Sequence, residues 1–233
     1  MRLRRCALAA IVALLLLSGT FIRPTATRAI GLWTPAAPLP APFDASSREY
    51  VSASLLRDGD VLVISNATFS SDARSAGQAV RYNPTTDSWS PASSMTTARY
   101  GFTAAPLPSG QLLVVGGSSH LNGKYVPSLA TTERYDPTTN RWLPTASLHT
   151  PRESATATPL LDGRVLIVGG TPDTELYDPT AELYDPATDT WTMTGSLSIG
   201  RRGHTATRLL DGRVLVVGGG GWKVIQAELG RSV

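Results

Sequence analysis

One segment recurs along this chain and constrains its fold more than any other feature. It runs Leu209-Leu210-Asp211-Gly212-Arg213-Val214-Leu215-Val216-Val217-Gly218-Gly219 and returns almost unchanged from Leu160 to Gly170. A looser copy spans Leu107 to Gly117. An eroded one spans Leu55 to Ile64, with Ser65-Asn66 after it in place of the glycine pair. The turn glycines Gly59, Gly110, Gly163 and Gly212 lie 51, 53 and 49 residues apart. Self-similarity at such a period marks a repeat architecture, whose units bury their apolar faces against each other.

Each copy has a direct physical reading. A short Asp-Gly link between apolar runs predicts a two-residue type I′ hairpin, with positive φ at both central residues. The run that follows is rich in Val, Ile and Leu and does not alternate, so its strand should be buried on both faces. The glycine pair marks a strand end where the backbone bends sharply or is approached closely.

Other residues keep the same period. Arg48, Arg99, Arg152 and Arg201 each stand 11 residues before a turn glycine. Ser52-Ala53, Thr103-Ala104, Thr156-Ala157 and Thr205-Ala206 mark the first arm of each hairpin. Further on come Tyr82-Asn83-Pro84, Tyr135-Asp136-Pro137 and Tyr184-Asp185-Pro186, with Trp89, Trp142 and Trp191 seven residues after each Tyr. The Pro, Thr and Asp or Asn between Tyr and Trp are turn chemistry joining two more strands. One unit is therefore four short strands, A to D, and an all-β unit of about 50 residues is a propeller blade rather than a solenoid coil. A second Tyr-Asp-Pro, Tyr177 to Pro179, precedes the one at Tyr184 by seven residues. Only the later copy has Trp at the right distance, so it should form the strand and the earlier one should lie in the B–C loop.

The glycine pair, the Tyr and the Trp seven residues on resemble the kelch repeat over about residues 33–229. The resemblance implies an all-β, kelch-type β-propeller of about four blades of four antiparallel strands, with A innermost. Blades are expected over 48–94, 99–148, 152–197 and 201–229, the last completed by a strand at 33–38. An incomplete ring is the competing reading. The Ser65-Asn66 departure predicts an irregular B–C bend in the first blade.

Residues 1–29 have the layout of a secretory signal peptide: Arg2, Arg4 and Arg5, an apolar run from Cys6 to Leu17, then small residues. That run is shorter than the roughly 20 residues of a membrane span, so cleavage after Ala29 is expected; a membrane association would require the leader to stay. The propeller domain is then 30–233, in a secreted or cell-envelope location. The net charge of +3 belongs to the leader, which holds five Arg and no acid; the rest carries 16 basic against 18 acidic side chains, a net −2. A nucleic-acid partner loses its main support on that count. Cys6 is the single cysteine, so the exported domain would hold no disulfide and rely on its core.

With strands alternating up and down, the B–C and D–A connections share one face, and variable loops on a rigid scaffold are the usual place for binding. The D–A connections bring Arg48, Arg99, Arg152 and Arg201 to that face. They are the candidate ligand-binding residues, for an acidic protein or carbohydrate partner, since guanidinium forks pair with carboxylates. The competing reading has them lock the blades, because a residue repeated in every blade is explained by the blade. Trp89, Trp142 and Trp191 read as packing anchors, whereas Trp222 stands outside the register and is the candidate for ligand stacking.

The repeats also resemble the propeller of galactose-oxidase-type copper enzymes. That likeness implies a tyrosine crosslinked to cysteine, a second tyrosine and two histidines, and the exported domain has no Cys. His120, His149 and His204 come from different blades without paired metal-ligand spacing. No nucleophile elbow, P-loop or dinucleotide fingerprint is present. Catalytic residues, metal ligands and cofactors are therefore expected to be none. The sequence points to a non-catalytic exported propeller that binds a protein or glycan, with a truncated fragment of a galactose-oxidase-like copper oxidase as the alternative.

Overall fold

A computed structural model describes residues 34–40, 50–66, 77–121, 124–172, 177–220 and 227–230. The expected leader at 1–29, Trp33, Arg48 and Trp222 lie outside the described residues. The chain divides into two units, 1–36 and 37–233, and the second holds every described strand.

The first sheet joins β1 (Tyr50–Leu55), β2 (Val61–Asn66), β3 (Ala79–Asn83) and β4 (Ser88–Ala92) in sequence order. The second sheet begins with β5 (Thr103–Pro106) and β6 (Leu112–Val115). A small hairpin follows, β7 (Ser119–Leu121) and β8 (Lys124–Val126), before β9 (Thr132–Asp136) and β10 (Arg141–Thr145) complete the blade. The third comprises β11 (Thr156–Pro159), β12 (Val165–Val168), β13 (Ala181–Asp185) and β14 (Thr190–Met193). The fourth has three strands among the described residues, β15 (Thr205–Arg208), β16 (Val214–Val217) and β17 (Ala227–Gly230). All neighbours are antiparallel. The A strands β1, β5, β11 and β15 lie side by side in that order, and the sheets stack radially about them as blades. As expected, β13 uses the later Tyr-Asp-Pro copy, and the earlier one is not a strand.

The core lies between blades, and strand B supplies both of its sides. From β6, Leu112 and Val114 pack with Leu62, Ile64 and Met95 of the first blade. The alternate residues Leu113 and Val115 pack with Val165, Ile167 and Trp191 of the third. Burying one such aliphatic side chain contributes about 1.5–3 kcal/mol, and only stacked sheets bury both faces of one strand.

The A–B turns differ from the type I′ expectation. Gly59 N donates to Leu56 O (3.1 Å) and Leu56 N to Asp60 O (2.8 Å), and the same pair recurs at Leu107, Leu160 and Leu209. This is a three-residue loop, a type I turn closed by one left-handed glycine. Only Gly59, Gly110, Gly163 and Gly212 take positive φ there, at 92°, 88°, 90° and 85°. The residue before each glycine serves differently: Asp58, Asp162 and Asp211 accept the backbone N–H two residues on, an Asx turn.

The strand expected at 33–38 is not formed over its described residues. Ala37 instead meets the first blade, where its carbonyl accepts Trp89 Nε1–H (2.9 Å), and Leu39 packs on Val63, Val80 and Trp89. The backbone here takes up the register of a preceding outer strand without pairing as one.

Candidate functional site

Arg99 and Arg152 are almost wholly buried, at 0% and 1% exposure. Arg99 Nη1 donates to Gly116 O (2.8 Å) and Thr131 O (2.7 Å), and Nη2 to Glu133 Oε1 (2.8 Å). Arg152 repeats this on Gly169 O (2.9 Å), Thr180 O (3.1 Å) and Glu182 Oε1 (2.9 Å). Each guanidinium thus ties the approach to strand A to the end of strand B and the start of strand C. Burial pulls the Arg99 guanidinium down from its ordinary value, against the pull of Glu133. Burial alone would raise the Glu182 carboxyl. Hydrogen bonds from the His149 backbone and ring, from Thr150 N–H and from Arg152 outweigh it and hold the group below the usual range. Asp178, from the earlier Tyr-Asp-Pro copy, adds a second carboxylate 3.3 Å from Arg152 Nη1.

These positions correct the expectation of a ligand-facing arginine ring. Arg99 and Arg152 spend their donors on the blade itself and present none to solvent. Arg201 is also buried and donates to Gly218 O (2.8 Å). Its blade places Glu228 opposite Val216, the register of Glu133 opposite Val114 and Glu182 opposite Ile167. In the first blade that register holds Val80, opposite Val63.

The aromatic pairs fasten neighbouring blades. Tyr82, Tyr135 and Tyr184 each lie about 5 Å from their Trp, at tilted angles. Each Tyr hydroxyl donates to Oδ1 of a left-handed residue in the C–D turn: Asp87 (2.7 Å), Asn140 (2.8 Å) and Asp189 (2.9 Å). The same Oδ1 accepts an N–H from the preceding blade's exit: Ala37, Ser93 and Ala146. Trp89, Trp142 and Trp191 return a bond to the carbonyls of those residues. Burial and the bond to Asp189 push the Tyr184 hydroxyl up to about 12.

The functional candidates that the periodic residues concealed are their immediate followers. Tyr100, Glu153 and Arg202 stand one position after the buried arginines. They form isolated antiparallel bridges to Ser118, Thr171 and Gly220, just past the glycine pairs. One position further, Gly101, Ser154 and Gly203 are all left-handed, at φ 63°, 55° and 63°. Ser154 N donates to Gly101 O (2.7 Å) and Gly203 N to Ser154 O (3.0 Å), linking the three blades at the mouth of the inner strands. The frame repeats while the chemistry varies: an aromatic with a hydroxyl, a carboxylate and a guanidinium. The Arg202 guanidinium lies 5.4 Å above the Tyr177 ring of the third B–C loop. The sequence signal for this rim was a non-repeating residue at a repeating position.

His149 and His204 do not converge. The His149 ring meets Glu182 Oε2 at 2.9 Å on the rim, while His204 is buried at the start of β15 with Nε2 2.9 Å from Thr156 Oγ1. Burial, with Arg201 adding repulsion, pushes His204 down to about 4. His120 lies in β7. Among the described residues no three His, Cys, Asp or Glu side chains gather as metal ligands do.

Radially stacked four-stranded sheets with a loop-bearing rim define a β-propeller. A family model of the kelch motif matches residues 99–149. An F-box/kelch-repeat protein of Arabidopsis thaliana is 35% identical over 114 residues, which is 48% of this chain and 29% of that protein. The solved structure of YjhT superposes with a TM-score of 0.61 at 14% identity, over 78% of this chain and 59% of the other. The fold is a kelch-type β-propeller, with the kelch motif itself matched over residues 99–149, and the chain spans under a third of the plant relative and about three fifths of YjhT.

Proposed function

We propose that this kelch propeller is a non-catalytic binding module. On this reading it is exported and holds a protein or glycan partner on the face of its B–C and D–A connections. The observation that carries the reading is the rim, where a hydrogen-bonded frame holds the partly exposed Tyr100 and Arg202 beside the buried Glu153, so that the chemistry differs from blade to blade. Pre-set side chains on a rigid frame lower the ordering cost of association. Arg48 and Trp222 belong to the same proposal. Arg48 precedes the one blade whose strand C offers Val80 rather than Glu, and Trp222 follows the last glycine run.

The test compares the intact chain with a Tyr100→Ala, Arg202→Ala variant on a glycan array and against a peptide library displayed on phage. A ligand held by the chain, lost at least about tenfold by the variant at unchanged melting temperature, supports the reading. Ligands that bind both proteins equally place recognition elsewhere. Sequencing the exported protein's N-terminus tests the leader, with Ile30 expected first.

A further inference from the structure

The opposite face, where the A–B and C–D turns lie, carries an unmatched cation. Arg81 in β3 and Arg134 in β9 occupy one register, opposite Leu62 and Leu113. Arg81 is fully engaged. Its Nε and Nη2 clasp Asp60 Oδ2 at 3.2 and 2.8 Å, Nη2 meets Asp58 Oδ2 at 2.6 Å, and Nη1 donates to Pro137 O of the next blade at 3.2 Å. In the second blade the residues matching Asp58 and Asp60 are Ser109 and Gln111, both neutral, and Ser109 Oγ donates to Gln111 Oε1 (3.3 Å). Arg134 Nε, the counterpart of the atom that takes Asp60, is buried without a hydrogen-bond partner, and Arg134 forms no ion pair among the described residues. An open cleft of about 570 Å³ lies over it, between the second and third blades. That volume is within the usual range of ligand sites, roughly 300–1,000 Å³.

We infer that Arg134 and this cleft form a second binding site, separate from the rim, for a carboxylate presented by an acidic peptide loop of a partner protein. The first blade supplies the template, since its own Asp58-Gly59-Asp60 tip shows how a carboxylate seats on Nε and Nη2 of this arginine. The cleft's own acids do not fill that place. Asp162 is paired with Arg164 (2.6 Å), and Asp185 Oδ1 accepts the Ala187 N–H (2.8 Å) within its turn. A guanidinium that lines an open cleft with its Nε bond unmade gains a charge-assisted pair when a carboxylate arrives and the side chain turns to meet it. A side chain on a peptide also reaches the walls formed by Leu107, Pro108 and Pro186, which a free organic acid does not.

The probe is the capped peptide Arg-Asp-Gly-Asp-Val, with its Asn-Gly-Asn analogue and free succinate as comparisons, titrated calorimetrically into the full chain at low salt. The acidic peptide should bind, and both comparisons should be weaker by at least about tenfold, the value of one hydrogen bond to a charged group. Arg134→Gln should lose the peptide. Ser109→Asp with Gln111→Asp should also lose it while raising the melting temperature, because the arginine then has its own carboxylates. Equal binding of the Asn-Gly-Asn analogue, or undiminished binding by the double-Asp variant, overturns the site. Succinate as tight as the peptide overturns the peptide loop and leaves a small-acid site. Rim variants should leave this titration unchanged, which separates the proposal from the rim's function.

Discussion

The first blade and the two after it share one backbone but are fastened differently. In the second and third blades, buried arginine meets buried glutamate at the B–C junction, and the glycine pair lets the next blade approach. A Cβ on Gly116 would stand 2.2 Å from Arg152 O, and one on Gly169 2.5 Å from Arg201 O. The first blade has Val80 at the glutamate register, and its strand B runs on through Ser65 and Asn66. Its link to the next blade lies on the opposite face, where Arg81 joins Asp58 and Asp60 to Pro137. A four-stranded blade therefore does not need the arginine–glutamate lock. The lock shapes the loop-face junction, and a seam without it is held from the turn face instead.

The largest effect should come from breaking the lock one-sidedly. Arg152→Leu leaves Glu182 buried without its guanidinium, and a broken buried pair costs about 3–5 kcal/mol. Adding Glu182→Val copies the first blade's solution at Val80 and should restore much of that loss in denaturant unfolding. Failure of the double variant to recover would mean that the first blade's arrangement cannot be transplanted.

The next effect depends on pH. His204 occupies the register of Phe102 and Ala155, three residues after the arginine, and is held neutral with its value pushed down to about 4. Its folded value lies below the ordinary 6.5, so the unfolded chain binds the proton more readily. The stability it contributes is complete above about pH 6.5 and is lost as pH falls through 4, by about 3 kcal/mol at about 1.4 kcal/mol per pKa unit. His204→Phe, which copies the second blade, should flatten the melting profile between those values. Lowered Glu182 keeps its own contribution to more acid conditions, where it too falls away as the carboxylate protonates.

The smallest effect compares two glycines of one type. Gly169→Ala meets Arg201 O and must also hold φ 65°, whereas Gly218→Ala meets nothing within 4 Å at φ 74°. Left-handed strain alone costs about 1–2 kcal/mol, so Gly218→Ala should lose that much and Gly169→Ala clearly more. Equal losses would show that the inter-blade approach is soft.

Much of this was legible in the sequence. The period, the four strands per unit, the doubly buried strand B and the choice of the later Tyr-Asp-Pro copy all follow from residue types at fixed spacing. The aromatic positions also announced themselves as structural. The arginines were legible only in part: their spacing placed them at the loop face and left open both a ligand-facing ring and a lock on the blade, because spacing says nothing about whether a side chain turns inward. Glu133 and Glu182, their partners, sit in strands where a charged residue between apolar neighbours signals either solvent or a buried pair. The stretch expected as a strand at 33–38 had the right register, since Ala37 answers to Ser93 and Ala146, but forms no ladder over its described residues. Ala37 offers its carbonyl to Trp89 and pairs with no strand.

Local chemistry determined the repeat, because hairpin glycines, Asx turns and unbroken apolar runs act within a few residues of one another. Tertiary structure decided which charges are satisfied. Arg81 and Arg134 stand at one register, and a lone chain does not show that one finds two carboxylates and the other an open cleft. That difference arises only when the A–B turn folds back over strand C and the next blade closes the seam, since ion pairing depends on distances that the chain acquires by folding.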